Sequence, residues 1–208
     1  MNVYVESNFM LELVFEQDEA AACESLLSLA ERGEIHLRMP FLAMVEPEWT
    51  LNNRSRERRE AERLVDRTHA QLRRNQSLGA ESHRLSGDIE ALFTLCEQEE
   101  NKLIRRTRKR ILDHAFVISA DSNTLYSTES VALAHDLEYF DAVMLSAVLS
   151  DLRMRGSEPS CFLNRNSSDF ATPSIRQELA QLSCKFLASF EQGYAYVRSV
   201  LSRLPPAP

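Results

Sequence analysis

The segment NVYV (Asn2–Val5) decides the fold, because this β-rich run passes through ESN (Glu6–Asn8) straight into an apolar, helix-forming stretch. A strand that leads at once into a helix is typical of a central strand in a parallel sheet. Ligands of such sheets bind at the carboxyl ends of the strands, and Glu6 stands at that position. By itself Glu6 is ambiguous, since an acid followed by Ser and Asn also caps the start of a helix.

The residues that follow alternate between helix and strand patterns. Apolar residues recur at intervals of three and four from Asn8 to Arg32, and a strand is predicted over Ile35–Met39. Two more short apolar runs, each leading into a helix, are predicted to be strands: Ser160–Leu163 and Cys184–Leu187. We therefore predict an α/β fold with three layers, α/β/α, around a central parallel sheet.

The segment from Arg54 to Phe116 differs from the rest, because Arg and Glu dominate it and proline is absent. Its apolar positions form two narrow stripes, which predict an inserted helical hairpin. The stripes can pack against each other and the body, or between two chains in a homodimer. We predict a single domain over residues 1–204 and a flexible tail over 205–208.

The net charge of −7 conceals an uneven distribution of charge. The windows Arg54–Arg74 and Lys102–Arg110 together carry +10, so the remaining residues carry −17. An acidic body with basic segments fits a protein that gathers carboxylates in one place and binds a polyanion in another. The alternative is a pair of solvated helical faces with internal pairing of Glu and Arg.

The cysteines and apolar runs point to a reduced, cytoplasmic protein. The chain has four cysteines with no C-x-x-C spacing, so neither a zinc site nor a disulfide framework is indicated. The N-terminal residues lack a secretory signal pattern, and the apolar runs are too short for a membrane span. We therefore predict no membrane partner.

The helix predicted to begin at Phe41 carries an acid, Glu46, close to its start. A carboxylate in this position is also explained by the helix dipole. Trp49 lies on the apolar stripe of this helix, which predicts a core residue. Pro47 is predicted to interrupt the helical pattern.

Four carboxylates take positions of the same kind in this pattern, at strand ends or in early helical turns: Glu6, Glu46, Asp141 and Asp169. Asp141 is set into an almost wholly apolar helix over 137–149, where an unpaired carboxylate is costly to bury. Carboxylates that converge repel one another unless a cation enters, and Mg²⁺ or Mn²⁺ suits oxygen ligands. Such an ion can activate water, which makes hydrolysis of nucleic acid the reaction to test.

These residues resemble the PIN domain, a metal-dependent nuclease fold common in bacterial toxin–antitoxin pairs and in RNA processing. The resemblance covers residues 2–53 and 128–200. Glu6-Ser7 matches the acid and hydroxyl after the first strand, Glu46 the later helical Glu, and Asp141-Ala142 the Asp-Ala pair. The chain reads Asn164-Arg165-Asn166-Ser167-Ser168-Asp169-Phe170 where the family usually has Thr-Arg-Asn-x-x-Asp-Phe.

The resemblance implies an endoribonuclease that holds Mg²⁺ or Mn²⁺ through the four acids and prefers RNA to DNA. It leaves open an antitoxin or another protein as a partner. It implies substrate-contacting roles for Ser7, Arg165 and Asn166. The basic hairpin, which is longer than the compact toxins of the family carry, is predicted from its charge to contact the phosphate backbone through Arg105, Arg106 and Arg108. The chain departs from the family at Glu6, where Asp is usual, and at Asn164, where Thr is usual. These departures leave open a catalytically weak or inactive PIN-like scaffold that binds RNA or a protein partner.

A phospho-receiver or small-anion domain also gathers acids at strand ends. A phospho-receiver needs a lysine at the end of a late strand. Lys185 lies near the start of its strand instead, which disfavours this alternative.

Overall fold

A single parallel sheet organises the computed structural model, which describes residues 1–75, 77–156 and 158–203. Its strands in the described chain are β1 (Asn2–Val5), β2 (His36–Pro40), β3 (Ala115–Ile118), β4 (Ser160–Leu163) and β5 (Cys184–Leu187). They lie in the order β3-β2-β1-β4-β5, and every neighbouring pair is parallel. The prediction that the first strand is central is therefore confirmed.

Helices connect the strands and make up most of the described residues. Their bounds are α1 (Ser7–Phe15), α2 (Ala20–Glu31), α3 (Phe41–Leu72), α4 (Gly79–His114), α5 (Ser122–His135), α6 (Tyr139–Arg155), α7 (Ser167–Phe170), α8 (Pro173–Gln181) and α9 (Phe190–Leu201). Within the described ranges, none of them is long and apolar enough to cross a membrane. The predicted flexible tail, 205–208, lies outside the described residues.

Side chains along β1 alternate between the two faces of the sheet. Val3 and Val5 join a core formed with α1, α2, α3, α4 and α9. Tyr4 joins a second core formed with α5, α6 and α8, and Phe162, its partner in register on β4, faces the same core. The protein therefore has a mixed α/β fold with an all-parallel sheet, compatible with the predicted three-layer arrangement.

The predicted helix from Asn8 to Arg32 is divided into α1 and α2. Glu16 ends α1 in the left-handed conformation, with φ at 49°. The following turn is held by the backbone N–H of Glu19, which donates to the Glu12 carboxylate at 2.8 Å. Glu12 also forms an ion pair with Arg165, far along the chain. The break therefore depends on a tertiary contact that the local pattern does not contain.

Helix α3 continues through Pro47, so the predicted interruption at this residue is wrong. Proline removes one backbone donor from a helix. Pro47 is buried, however, and α3 packs against both α1 and α4. This packing offsets the missing hydrogen bond.

The prediction that Trp49 belongs to the core is also wrong, because 52% of its surface is exposed. Its ring packs edge-on against Phe140, with ring centroids 5.4 Å apart. The buried apolar residues of α3 are Ala43, Met44, Pro47 and Leu51. The stripe that faces the core is therefore narrower than the sequence pattern suggests.

Helices α3 and α4 form the predicted hairpin, and we call residues 54–114 the arm. The arm ends at His114 rather than at Phe116, because Phe116 belongs to β3 and pairs in register with Arg38 of β2. Residues that were predicted to extend the hairpin thus form an edge strand. The arm is the larger part of the crossover connection between β2 and β3, which begins at Phe41 and ends at His114.

The arm is packed at its base and exposed along its outer half. Ile104 and Ile111 are buried against the body, whereas Leu64 and Leu92 expose more than half of their surface. Ser55 of α3 donates from its hydroxyl to Glu97 of α4 at 2.8 Å. Contacts near the body therefore fix how the two helices pack at the base of the arm.

The polar segment 121–124 caps and begins α5. Asp121 Oδ1 accepts hydrogen bonds from the backbone N–H and the hydroxyl of Thr124, both at 2.8 Å. These bonds satisfy donors that are otherwise unpaired in the first turn of a helix. The start of α5 is therefore set by the side chain of Asp121.

A buried polar network that the sequence does not reveal joins β1, β2 and α6. Asp151 accepts from the Tyr4 hydroxyl at 2.7 Å and from Arg38 Nη1 at 3.0 Å. Arg38 Nε donates to Asn2 Oδ1 at 3.0 Å, and its guanidinium lies over the ring of Phe116. Burial, and then the bond to Asp151, raise the pKa of Tyr4. The phenol therefore stays protonated and keeps its role as donor.

Candidate functional site

The predicted acids come from separate elements that meet at the carboxyl edge of the sheet. Glu6 directly follows β1, and Asp169, in α7, comes after β4, the neighbour of β1. Glu46 lies in the second turn of α3, which leaves the carboxyl end of β2. Asp141 lies in the first turn of α6, the helix that leads back to β4. The fold therefore brings all four to one edge, which we call the acid edge.

Glu6 is almost completely buried at the start of α1, with 3% of its surface exposed. Its Oε2 accepts from the backbone N–H of Asn8 at 2.8 Å and from the Ser7 hydroxyl at 3.0 Å. Its Oε1 is buried and has no hydrogen-bond partner within the described residues. Glu6 is therefore a helix cap through one oxygen and a candidate ligand through the other.

Burial raises the pKa of the Glu6 carboxyl to about 7, against an ordinary value of 4.5. The hydrogen bonds from Asn8 and Ser7 oppose this shift, and the negative charge of Glu46 adds to it. Because burial disfavours the ionised form of this carboxyl, a positive charge nearby would stabilise that form. The electrostatics of Glu6 therefore fit a cation-binding role.

Asp141 is partly buried, and desolvation raises its pKa to about 6. The charges of Asp169, Glu46 and Glu138 raise it further. Glu138 was not predicted as a site residue, although an acid three positions before Asp141, at the start of the same helix, is visible in the sequence. The acids thus influence one another across elements, as convergence requires.

Asp169 and Glu46 are exposed, in contrast to Glu6. Asn166 Nδ2 donates to Asp169 Oδ2 at 2.6 Å, which orients this carboxylate. Asn164 is buried, and its Oδ1 accepts from the backbone N–H of Asn166 at 2.8 Å. The residue that departs from the PIN pattern therefore shapes the turn that carries Asp169.

The donor set fits a hard divalent cation in its chemistry, because the oxygens are carboxylates and one of them is buried without a partner. The four residues include no cysteine or histidine, which are the ligands that zinc prefers. In the part of the chain that is described, no group of three or more His, Cys, Asp or Glu side chains is close enough to hold a metal ion. The acid edge thus carries the types of oxygen ligand that a hard divalent cation prefers. Its side chains do not lie close enough together to coordinate one ion.

The predicted substrate-contacting residues divide into engaged and exposed groups. Arg165 is ion-paired with Glu12, and Arg108 with Glu48. Arg105 and Arg106 are exposed on α4. Both ion pairs join elements that are distant in sequence. The pair formed by Arg108 supports the alternative that part of the basic segment is paired with glutamates of the same protein.

Two further predicted contacts lie beside the acids and act on them. Ser7 is buried and donates to Glu6, and Asn166 donates to Asp169. Glu12, with 1% of its surface exposed, was missed by sequence reasoning. It sits on the apolar pattern of α1 without a local signal for its distant partner.

Comparison of the chain with protein-family models, with curated proteins and with solved structures gave no match. The resemblance to PIN domains therefore stays a prediction. A functional conclusion depends on the geometry and chemistry of the acid edge itself.

The raised pKa of Glu6 predicts an unusual dependence of stability on pH. Because the folded pKa of about 7 lies above the ordinary 4.5, the contribution of the neutral carboxyl to stability is complete below the lower value. This contribution is lost as the pH rises through the folded pKa, which lowers the free energy of unfolding by about 3 kcal/mol for a shift of this size. Replacing Glu6 by Gln is expected to remove this loss, since glutamine cannot ionise.

The measurement is the free energy of urea unfolding at about pH 4 and about pH 8, without divalent metal, for wild type and Glu6→Gln. Glu129→Gln, an equal change at an exposed position of α5, is the matched control. It is expected to follow wild type. Identical pH dependence in wild type and Glu6→Gln would contradict the prediction.

Proposed function

We propose that the protein is a Mg²⁺- or Mn²⁺-dependent nuclease with a PIN-like fold, which hydrolyses phosphodiester bonds and prefers RNA to DNA. The observation that carries this proposal is the convergence of carboxylates from separate elements on one edge of a parallel sheet: Glu6, Glu46, Asp141 and Asp169. Carboxylates that repel one another are poor neighbours until a cation neutralises them. An edge of this kind is therefore better suited to metal than to an anionic ligand.

Glu6 and Asp141 are the residues best suited to hold the cation, because both are withdrawn from solvent and carry raised pKa values. A divalent cation there would supply an activated water molecule and neutralise charge on the phosphodiester. Ser7 and Asn8 fix one oxygen of Glu6, and Asn166 fixes one oxygen of Asp169. These neighbours reduce the freedom of the carboxylates before substrate binds.

The exposed basic residues of the arm support a polyanionic substrate. Arg105 and Arg106 lie on the surface of α4, where they can contact the phosphate backbone. Binding through such contacts weakens steeply as salt concentration rises. Because Arg108 and Arg110 are engaged in ion pairs, the arm offers fewer phosphate contacts than its charge suggests.

A PIN-like scaffold that binds RNA or a protein partner without cutting is the second candidate. The spacing of the carboxylates favours it, since across the described residues they do not form a group able to hold metal. Glu6 favours it as well, because the longer side chain stands where the family usually has Asp. Metal geometry is sensitive to ligand reach.

The test combines metal binding and cleavage by the full-length protein. We expect heat of binding when Mn²⁺ is titrated into the protein at millimolar concentration, and cleavage of a labelled single-stranded RNA that stops when the metal is chelated. Absence of metal binding would favour the scaffold. Metal binding without cleavage of RNA or DNA would overturn the nuclease proposal.

A further inference from the structure

A cleft of about 480 Å³ opens beside the acid edge, between the starts of α3 and α6 and the segment that follows β3. We call it the aromatic cleft. Its lining is mostly apolar, with hydroxyls from one serine and one tyrosine: Phe41, Leu42, Ser119, Ala120, Leu125, Tyr139, Phe140 and Val143. Tyr139 and Phe140 directly precede Asp141, and Phe41 begins the helix that carries Glu46. The cleft and the acid edge therefore share their supporting elements.

Aromatic rings of the cleft are exposed to an unusual degree. Phe41, Tyr139 and Phe140 leave 54%, 58% and 52% of their surface open to solvent. Trp49, itself half exposed, packs edge-on against Phe140. A contiguous exposed apolar surface of this kind marks a binding site more often than a single exposed residue does.

We propose that the aromatic cleft binds a nucleobase of a single-stranded nucleic acid whose phosphate backbone passes along the acid edge. The inference rests on the proposed nuclease function and specifies its substrate as single-stranded. A base can enter only when it is unpaired and unstacked, so a continuous duplex is excluded from the cleft.

Charge is the first reason to assign a base to the cleft. The acid edge repels phosphate, so affinity for nucleic acid close to the site has to come from groups other than the backbone. Stacking of bases on aromatic side chains contributes about 1–3 kcal/mol per base and tolerates any sequence. The exposed rings lie where this contribution is needed.

The size of the cleft gives the second reason. Its volume falls within the range of about 300–1,000 Å³ that is typical of small-ligand pockets. A helix or an extended strand of a protein partner docks along a longer groove or a sheet edge. The Ser119 hydroxyl is one polar group in a position to contact the edge of a base.

Trp49 is the one tryptophan of the chain and provides a local probe. In chelator, we expect adenosine to quench Trp49 fluorescence and ribose to leave it unchanged, because only adenosine carries a base. Both probes are uncharged, so repulsion by the acid edge does not affect the comparison. N-acetylphenylalaninamide serves as the apolar amino-acid probe, and its binding at lower concentrations than adenosine would overturn the proposal in favour of a protein segment.

The same comparison is then made with strands, by fluorescence anisotropy in chelator. We expect a short oligoadenylate to bind roughly 5- to 100-fold more tightly than an abasic strand of equal length. Phe140→Ala and Phe41→Ala are each expected to remove most of this advantage. Tyr126→Ala is the matched control, because Tyr126 is 83% exposed and lies outside the cleft lining.

Equal affinity for the two strands, together with no effect of Phe140→Ala or Phe41→Ala, would overturn the base site. If Mn²⁺-dependent RNA cleavage persists in the wild type under that outcome, the nuclease proposal stands alone. If adenosine binds in the cleft and no nucleic acid is cleaved, the nuclease proposal fails and the base site stands. The two failures are therefore distinguishable.

Discussion

Replacing Asp141 by Asn is expected to lower Mn²⁺-dependent cleavage of RNA by more than about 100-fold, since loss of even an outer partner of a metal ligand costs 10- to 100-fold. The substitution keeps the shape of the side chain and removes its charge. Stability is not expected to fall, because desolvation and neighbouring acids already disfavour the ionised form of Asp141 in the folded protein. Loss of activity without loss of stability would identify a functional carboxylate.

The measurements are the initial rate of RNA cleavage at saturating Mn²⁺ and the midpoint of thermal unfolding. Asp18→Asn, the same chemical change at an exposed position between α1 and α2, is the matched control and is expected to cleave like wild type. Purification of all the proteins by one protocol controls for a contaminating ribonuclease. Equal cleavage by wild type and Asp141→Asn would refute the role of this carboxylate.

Replacing Arg38 by Met is expected to reduce the free energy of unfolding by about 3 kcal/mol, because it removes the buried partner of Asp151 and leaves this carboxylate only the longer contact with Arg155, at 3.6 Å. Arg38 exposes 5% of its surface and Asp151 exposes 1%. Their side chains approach to 3.0 Å. Asp151→Leu is expected to destabilise by a similar amount, since it leaves the guanidinium buried and unpaired.

The double variant Arg38→Met with Asp151→Leu is the informative comparison. Replacing both members of a buried ion pair by apolar residues is often close to neutral. The Tyr4 hydroxyl loses its acceptor in this variant, so adding Tyr4→Phe is expected to recover further stability. Urea unfolding gives the free energies, and simple addition of the two single effects would contradict coupling between Arg38 and Asp151.

The sequence predicts the parts of the fold whose signals are local. Asn2–Val5 is buried on both faces of the sheet, so its short β-rich run reports a central strand. The apolar helix around Asp141 is likewise recognisable, because burial on most sides leaves few polar residues. Ser160–Leu163 and Cys184–Leu187 follow the same rule.

The errors fall where contacts distant in sequence decide the outcome. Glu12 ends the first helix early through a turn that Arg165 supports from the other end of the chain. Trp49 lies at the surface, where its ring packs against that of Phe140. Periodicity along one helix contains no information on either partner.

The candidate site shows the same division. The types and positions of Glu6, Asp141 and Asp169 are visible in sequence because strand ends and helix starts are marked locally. Their separations depend on side-chain orientation, which the sequence does not specify. Glu138 acts on Asp141 through proximity alone and has no signature beyond its charge.

The arm lies within the connection between two neighbouring strands, β2 and β3. The pairing of these strands therefore does not depend on how long the arm is. Helix α3 extends for about 48 Å at 1.5 Å per residue, while β2 and β3 pair at its base whatever lies beyond. We expect that residues can be added to or removed from the outer arm in matched turns without changing the register of the strands. The reach of the arm is thus open to change during evolution, or by design, with little expected effect on the arrangement of the carboxylates at the acid edge.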